Sequence, residues 1–222
     1  MVKKIEKKSL SEQAYEKLEE IIVTGVIKPG EIVSETQLSD YVKIGRMPVR
    51  EAIRKLQLTH LIDILARKGI MVSIFTTEDL FAQLEIREAL EKIVITRAAK
   101  LATKEEREYL EELAEEYEMA TEKEDAIEAL RVDYRYNDFV ANCARNRFAK
   151  EALLLLHPLS RRQYYLNYNV DKELTKKVNY AHINLMRMIA RGNIEKALEQ
   201  NDILLELTQK INTIRLNNII NR

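Results

Sequence analysis

The chain has 222 residues, 36 Lys and Arg against 36 Asp and Glu, and 46% hydrophobic content, which suits one large or two small packed domains and excludes extensive disorder. Its single Cys143 excludes an internal disulfide framework, and no run approaches the ~18 apolar residues that cross a bilayer. Five Gly, three Pro and abundant Leu, Ile, Ala, Glu and Lys predict a mainly α fold, because straight-chain side chains lose little rotamer freedom in a helix.

The first residues, Met-Val-Lys-Lys-Ile-Glu-Lys-Lys, are basic but lack the apolar stretch and small-residue cleavage site of a signal peptide, so the expected location is cytoplasmic, with no membrane association. Ser9-Leu10-Ser11-Glu12 reads as a capping box, and Ala14, Leu18, Ile21 and Ile22 follow at helical spacing, predicting a helix over about 10–24. Gly25 closes it, and Lys28-Pro29-Gly30 is a turn. A second capping box, Ser34-Glu35-Thr36-Gln37, opens a short helix that sends Leu38, Tyr41 and Val42 inward and is broken by Gly45. Pro48 suits the first position of a third helix, whose buried stripe is Val49, Ala52, Ile53 and Leu56 and whose outer face carries Arg46, Arg50 and Arg54. The β-prone runs 61–66 and 70–74, separated by Arg67-Lys68-Gly69, predict a hairpin with a cationic tip.

A helix, a second helix, a third that presents guanidinium groups and a basic hairpin form the geometry that places donors in the major groove and a cation beside the neighbouring phosphates. Residues 1–75 carry thirteen Lys and Arg against ten Asp and Glu, a sign that fits a DNA-facing module. Val26-Ile27-Lys28-Pro29-Gly30-Glu31, Arg46-Met47-Pro48-Val49-Arg50-Glu51-Ala52-Ile53 and Arg67-Lys68-Gly69-Ile70-Met71-Val72 resemble the N-terminal domain of GntR-family regulators. The resemblance implies a winged helix-turn-helix in which Thr36, Arg46, Met47 and Arg50 meet DNA and Lys68 and Gly69 form the wing contact. Where that family commonly shows Ser-Arg-Thr-Pro, this chain has Gly45-Arg46-Met47-Pro48, so two hydroxyls that could cap the recognition helix or meet phosphates are missing.

From residue 76 onward Gly and Pro almost vanish, and helical periodicity runs to the end. Breaks at Thr103, 120–123, Asn146, 169–171 and Gly192-Asn193 predict about six helices in an antiparallel bundle, giving a domain of 1–75 followed by one of 76–222. Polar residues lie on its apolar stripes: Arg87 with Leu80, Leu84 and Val94; Asp133 and Asn137 with Leu130, Val140 and Ala144; His182 with Val178, Leu185 and Ile189. Burying such groups requires partners, and Arg87 could hold the carboxylate of a ligand or an internal partner, either Glu91 or Asp133. The Tyr-rich stretch 163–168 is assigned to neither pocket, core nor surface.

Glu85 to Glu91, Asp133 to Asn146, and Ala181-His182 through Gly192-Asn193 to Ala197 are similar to the helical effector domain of the FadR-like, or FCD, branch of GntR regulators. That likeness implies a dimerising domain that binds a small metabolite through Arg87, Asp133, Asn137 and His182. Many members of the branch hold a divalent metal with one Asp and three His. Here the corresponding positions are Asp133, Asn137, His182 and Leu204, so Asp133 and His182 remain as ligands of an incomplete site.

The expected function is a DNA-binding transcription regulator, a repressor that binds a double-stranded operator as a homodimer and responds to an organic or sugar acid. No catalytic residues are assigned; the divalent metal is expected to be weak or absent, with Asp133, Asn137 and His182 meeting the effector directly or through water, and no other cofactor is expected. The alternatives are a metal-dependent hydrolase, for which no nucleophile or full ligand set is visible, and a helical adaptor that does not bind DNA.

Overall fold

A computed structural model describes residues 8–220, and the basic run read at residues 1–7 lies outside the described residues. The chain divides into two compact units that meet in sequence between Phe75 and Thr76.

In the first unit, α1 (Leu10–Val23) starts at Ser9, whose hydroxyl accepts from the Glu12 amide while the Glu12 carboxylate accepts from the Ser9 amide. Its apolar stripe buries Ala14, Leu18 and Ile22 against α3. A second reciprocal box, Ser34 with Gln37, starts α2 (Glu35–Val42). That helix ends on Lys43 in the left-handed conformation, φ 57°, so the break expected at Gly45 falls two residues earlier. Gly45 instead precedes α3 (Arg46–Leu58) in extended backbone and gives it no side-chain cap. Pro48 is therefore the third helical residue rather than the first, which costs nothing because the first four amides of a helix have no partner within it. Val49, Ala52, Ile53 and Leu56 form the buried stripe of α3. Tyr41, expected to point inward, is 47% exposed, because Leu38 and Val42 already fill the inner face of this two-turn helix.

The wing strands are β2 (Ile62–Leu65) and β3 (Gly69–Val72), shorter than the runs read in the sequence. A third strand, β1 (Ile32–Val33), pairs antiparallel with β3, and the sheet order is β1-β3-β2. The Gly30 amide donates to the Val72 carbonyl and the Val72 amide to the Glu31 carbonyl, which extends this pairing into the Pro29-Gly30 turn. The hairpin is thereby attached to the α1–α2 connection.

The second unit consists, among the described residues, of six helices: α4 (Thr77–Leu101), α5 (Lys104–Glu122), α6 (Ala126–Cys143), α7 (Arg147–Asn167), α8 (Lys172–Ala190) and α9 (Ile194–Ile220). Thr76, Thr103, Asp125, Asn146 and Asp171 each accept from an amide in the first turn of the helix that follows, which sets five of the starts. Helix α8 packs on α5 and α9, while α4 packs on α7 and α9, around a core that includes Leu110, Leu113, Leu153, Ile183 and Leu185.

One cation ties helix ends together. The Arg107 guanidinium on α5 donates to the carbonyls of Ala99 and Ala102 at the end of α4 and to those of Ile189 and Ala190 at the end of α8. A Cβ on Gly192 (φ +70°) would lie 2.8 Å from its Nη1, so the left-handed glycine also makes room for the guanidinium.

Candidate nucleic-acid interface and ligand pocket

Arg46 and Met47 occupy the first turn of α3, where side chains project from the helix end, and both are exposed. Met47 is 68% exposed, an apolar tip on an otherwise polar edge, and such a side chain can pack on a thymine methyl group. Arg50, one turn on, is also at the surface, but Glu35 on α2 holds its guanidinium through Nη2 (2.9 Å) and Nε (3.3 Å to each oxygen). Arg50 holds the Glu35 carboxyl below its usual range by this hydrogen bond, against a small opposing effect of burial. Arg54 pairs with Glu51 at 2.9 Å. Thr36 is exposed in the first turn of α2. Lys68 is exposed at the wing tip beside Arg67, which adopts φ 61°. Gly69 is placed by necessity: at φ +119° a Cβ there would lie 2.9 Å from the Val33 carbonyl oxygen of β1.

In the helical unit, Arg87, Asp133, Asn137 and His182 line one cavity of about 70 Å³, with α4 to α9 each contributing. A smaller one of about 30 Å³ adjoins it and shares Arg87, Asn137, His157, His182 and Leu204. A water needs only ~10–15 Å³ of such space, so there is room for several waters or a small organic molecule. Of the partners left open for Arg87, the structure selects Glu91: Nε and Nη2 reach Oε1 at 2.9 and 2.5 Å, while Nη1 donates to Ser160 Oγ at 2.7 Å. Asn137 donates to Asp133 Oδ2 at 2.9 Å, and His182 Nδ1 lies 3.6 Å from Asp133 Oδ1. The His182 ring sits between Tyr117 and Tyr136, at centroid distances of 5.2 and 5.0 Å. Burial lowers the His182 pKa, with Asp133 and Glu91 opposing, and raises both phenols well above their usual range, so the tyrosines stay neutral.

Sequence reasoning missed most of one wall of this cavity and left only its Tyr164 undecided. His157, Ser160, Arg161 and Tyr164 stand at i, i+3, i+4 and i+7 on α7, and all four line it. That spacing is the signal that could have found them. His157 and Arg161 are 5% and 6% exposed, and the Arg161 guanidinium lies over the Tyr134 ring at 4.9 Å. Burial, reinforced by Arg87, Arg161 and His182, pushes the His157 imidazole well below its ordinary pKa. Of the undecided tyrosines, Tyr164 belongs to the pocket and packs edge-on against Tyr168.

The donor set does not match a metal site of one Asp and three His. Asp133 and His182 can ligate, Asn137 turns its amide N–H toward Asp133, and Leu204 has no lone pair to offer. Among the described residues no three His, Cys, Asp or Glu side chains converge on a point that could hold an ion.

A winged helix with exposed arginines at the start of its third helix, joined to a helical unit with a polar internal cavity, defines a DNA-binding transcription regulator with a ligand-sensing domain. Residues 10–72 match the bacterial regulatory proteins of the gntR family and residues 83–206 match the FCD domain, so the chain belongs to the GntR family and to its FCD branch. It is similar to YdhC, an HTH-type transcriptional regulator of Bacillus subtilis (strain 168), with 29% identity over 186 residues and 83% of each chain covered. It also resembles the HTH-type transcriptional repressor RspR of Escherichia coli (strain K12), with 24% identity over 212 residues covering 94% of this chain and 92% of that one. Among solved structures, E. coli McbR/YncC shares the fold, with a TM-score of 0.78 at 19% identity over 96% of this chain and 100% of the other. No described helix is long and apolar enough to cross a membrane.

Proposed function

We propose that this protein is a cytoplasmic, homodimeric repressor that binds a pseudo-palindromic operator through α3 and the wing and releases it when a small carboxylate occupies the helical cavity. The observation that carries the reading is the union, in one chain, of exposed Arg46 and Arg50 at the head of the recognition helix with a buried polar cavity that has two guanidinium groups in its walls. The name of RspR, an HTH-type transcriptional repressor to which most of the chain is similar, supports the direction of the effect. Two recognition helices in a symmetric dimer meet successive major grooves, which fixes half-site spacing at about one helical turn of DNA. A ligand alters the operator affinity only if it binds one arrangement of the two DNA-binding units better than the other.

Nothing among the described residues favours the enzyme reading: Ser160 of the cavity wall accepts from Gln83 and Arg87, and no three His, Cys, Asp or Glu side chains converge on an ion site. The test is fluorescence anisotropy with fragments from the gene's own genomic neighbourhood, in a salt series, with and without a panel of organic and sugar acids. Tight binding with a steep salt dependence, weakened by a member of the panel, is expected. Binding that is weak and indifferent to sequence would overturn the DNA reading, and affinity unchanged across the panel would overturn the effector reading.

A further inference from the structure

We infer that the end of the helical cavity formed by Asn167, Thr175 and Thr208 is a binding site for the hydroxyl groups of a neutral polyol chain. The inference rests on the reading of this cavity as a ligand site and needs no carboxylate on the ligand.

The cavity is polar along its length but charged over only part of it. On α7, His157 and Asn167 both line it, and a helical rise of about 1.5 Å per residue sets them about 15 Å apart along the axis. On α8, Thr175 stands in the first turn and His182 about two turns further on. Helix α9 turns back at Gly192 and packs along α8, which brings Thr208 near the level of Thr175. Arg87, bonded to Ser160, and Asp133, beside His182, therefore belong with the two histidines and Arg161. Tyr164, Asn167, Thr175 and Thr208 form the other stretch, and none of them is charged.

The oxygens of this neutral end have already committed their neighbouring hydrogens. Asn167 is 3% exposed, and its Nδ2 donates to Asn212 Oδ1 at 2.5 Å. Its Oδ1 is buried with no hydrogen-bond partner among the described residues. Thr175 donates its hydroxyl proton to the Tyr168 carbonyl at 3.2 Å, and Thr208 donates its own to the Leu204 carbonyl at 2.7 Å. Both threonine oxygens are left with lone pairs only. Tyr164 Oη approaches Asn179 and Tyr117 but is in hydrogen-bonding geometry with neither, and burial raises its pKa so that it keeps its proton. The wall thus offers three acceptors and one phenol that can donate or accept.

Acceptors of this kind call for a ligand that brings hydrogens or positive charge. An ammonium group or a metal ion would need a carboxylate to offset its burial. Among the described lining residues of this cavity the only carboxylate is Asp133, which stands in the charged stretch and is bonded to Asn137. A hydroxyl brings its hydrogen without charge: it donates to Asn167 Oδ1 or a threonine oxygen and accepts from Tyr164 Oη. The acceptors come from α7, α8 and α9 around one space, which suits several hydroxyls on one carbon chain, and Val178 and Ile211 offer apolar contact to its C–H groups.

The experiment is ligand-observed saturation-transfer NMR on the full-length protein, without DNA, with erythritol, xylitol and sorbitol each titrated to saturation. The controls are the terminal diols of the same chain lengths, which lack the inner hydroxyls, and methylammonium. At least one polyol is expected to bind saturably and roughly tenfold more tightly than its diol. Thr208→Val, which keeps the shape and removes the hydroxyl, should weaken that binding by roughly two- to tenfold, and Asn167→Leu should abolish it. Thr208 makes a single bond within its own helix, so its variant keeps the test decisive if Asn167→Leu fails to fold. No saturable binding of any polyol, equal affinity for polyol and diol, polyol affinity unchanged by Thr208→Val, or tighter binding of methylammonium than of any polyol would overturn the inference. The probes carry no carboxylate, so an organic acid that shifts operator affinity while no polyol binds would overturn this inference and leave the proposed function standing.

Discussion

The guanidinium of Arg50 on α3 is held by the carboxylate of Glu35 on α2, so the third helix of the winged domain keeps one of its exposed cations neutralised from within the same domain. The pair is exposed on both sides, at 48% and 38%, and salt screens it, so its worth to folding is at most about 1 kcal/mol. On the proposed reading of α3 as the recognition helix, its importance is for binding. To meet a base or a phosphate, Arg50 must share its fork with Glu35 or leave it.

Glu35→Gln is therefore expected to raise affinity for non-operator DNA several-fold and to steepen the salt dependence, with Tm nearly unchanged. Arg50→Ala is expected to weaken operator binding by ~1–3 kcal/mol. Anisotropy titrations at several salt concentrations check both. Equal non-specific affinity for wild type and Glu35→Gln would show that the ion pair does not restrain the arginine.

Gly69→Ala is expected to disrupt the wing. The added Cβ meets the Val33 carbonyl at 2.9 Å and the Ile32 side chain at 3.1 Å, and φ +119° is itself strained for any L side chain. The combined cost is ~1–3 kcal/mol, read as a lowered Tm together with a loss of DNA affinity. Gly25→Ala is the control: φ is +73° but nothing lies within 4 Å of the new Cβ, so only the backbone cost of ~1 kcal/mol is expected.

The two glycines show what the sequence could reveal. Gly25 follows a helical stripe, and its role in ending α1 was legible from local pattern. Gly69 was legible as a wing residue, but its neighbour Val33 was not: β1 is two residues long, has no periodicity of its own and exists only because β3 pairs with it across the sheet. Helix starts in the second unit were legible because Thr103, Asn146 and Asp171 announce themselves chemically as caps. The α7 wall was hidden because His157 follows a run of four leucines that reads as core. Arg87 was visible as a buried cation, yet its partner was undecided because Glu91, one turn along, and Asp133, on another helix, were equally suitable until the packing was known.

A pH dependence follows from Glu106 in the first turn of α5. Burial tends to raise its pKa, but the hydrogen bond from Arg145 and that from the Thr103 amide outweigh this and hold it below the usual 4.5. A lowered carboxyl binds fewer protons in the folded chain than in the unfolded one. Its stabilisation is thus complete above the ordinary value and is lost as pH falls through the lowered one. Glu106→Gln should cost about 1 kcal/mol near neutrality, and the Tm difference from wild type should close as both are acidified below about pH 4. A difference that stays constant across that range would refute the assignment.

The Arg107 clamp has a mechanical consequence for the helices of the pocket. Helix α4, which carries Arg87, and α8, which carries His182, both end on the same guanidinium. Sliding either helix along its axis would pull carbonyl groups off a cation that the other also needs, whereas tilting leaves those bonds intact. The two helices therefore share a fixed pivot at one end, with their ligand-facing stretches on the free arms. Such a shared anchor favours rotation about Arg107 over translation along either helix for any movement that begins in the cavity.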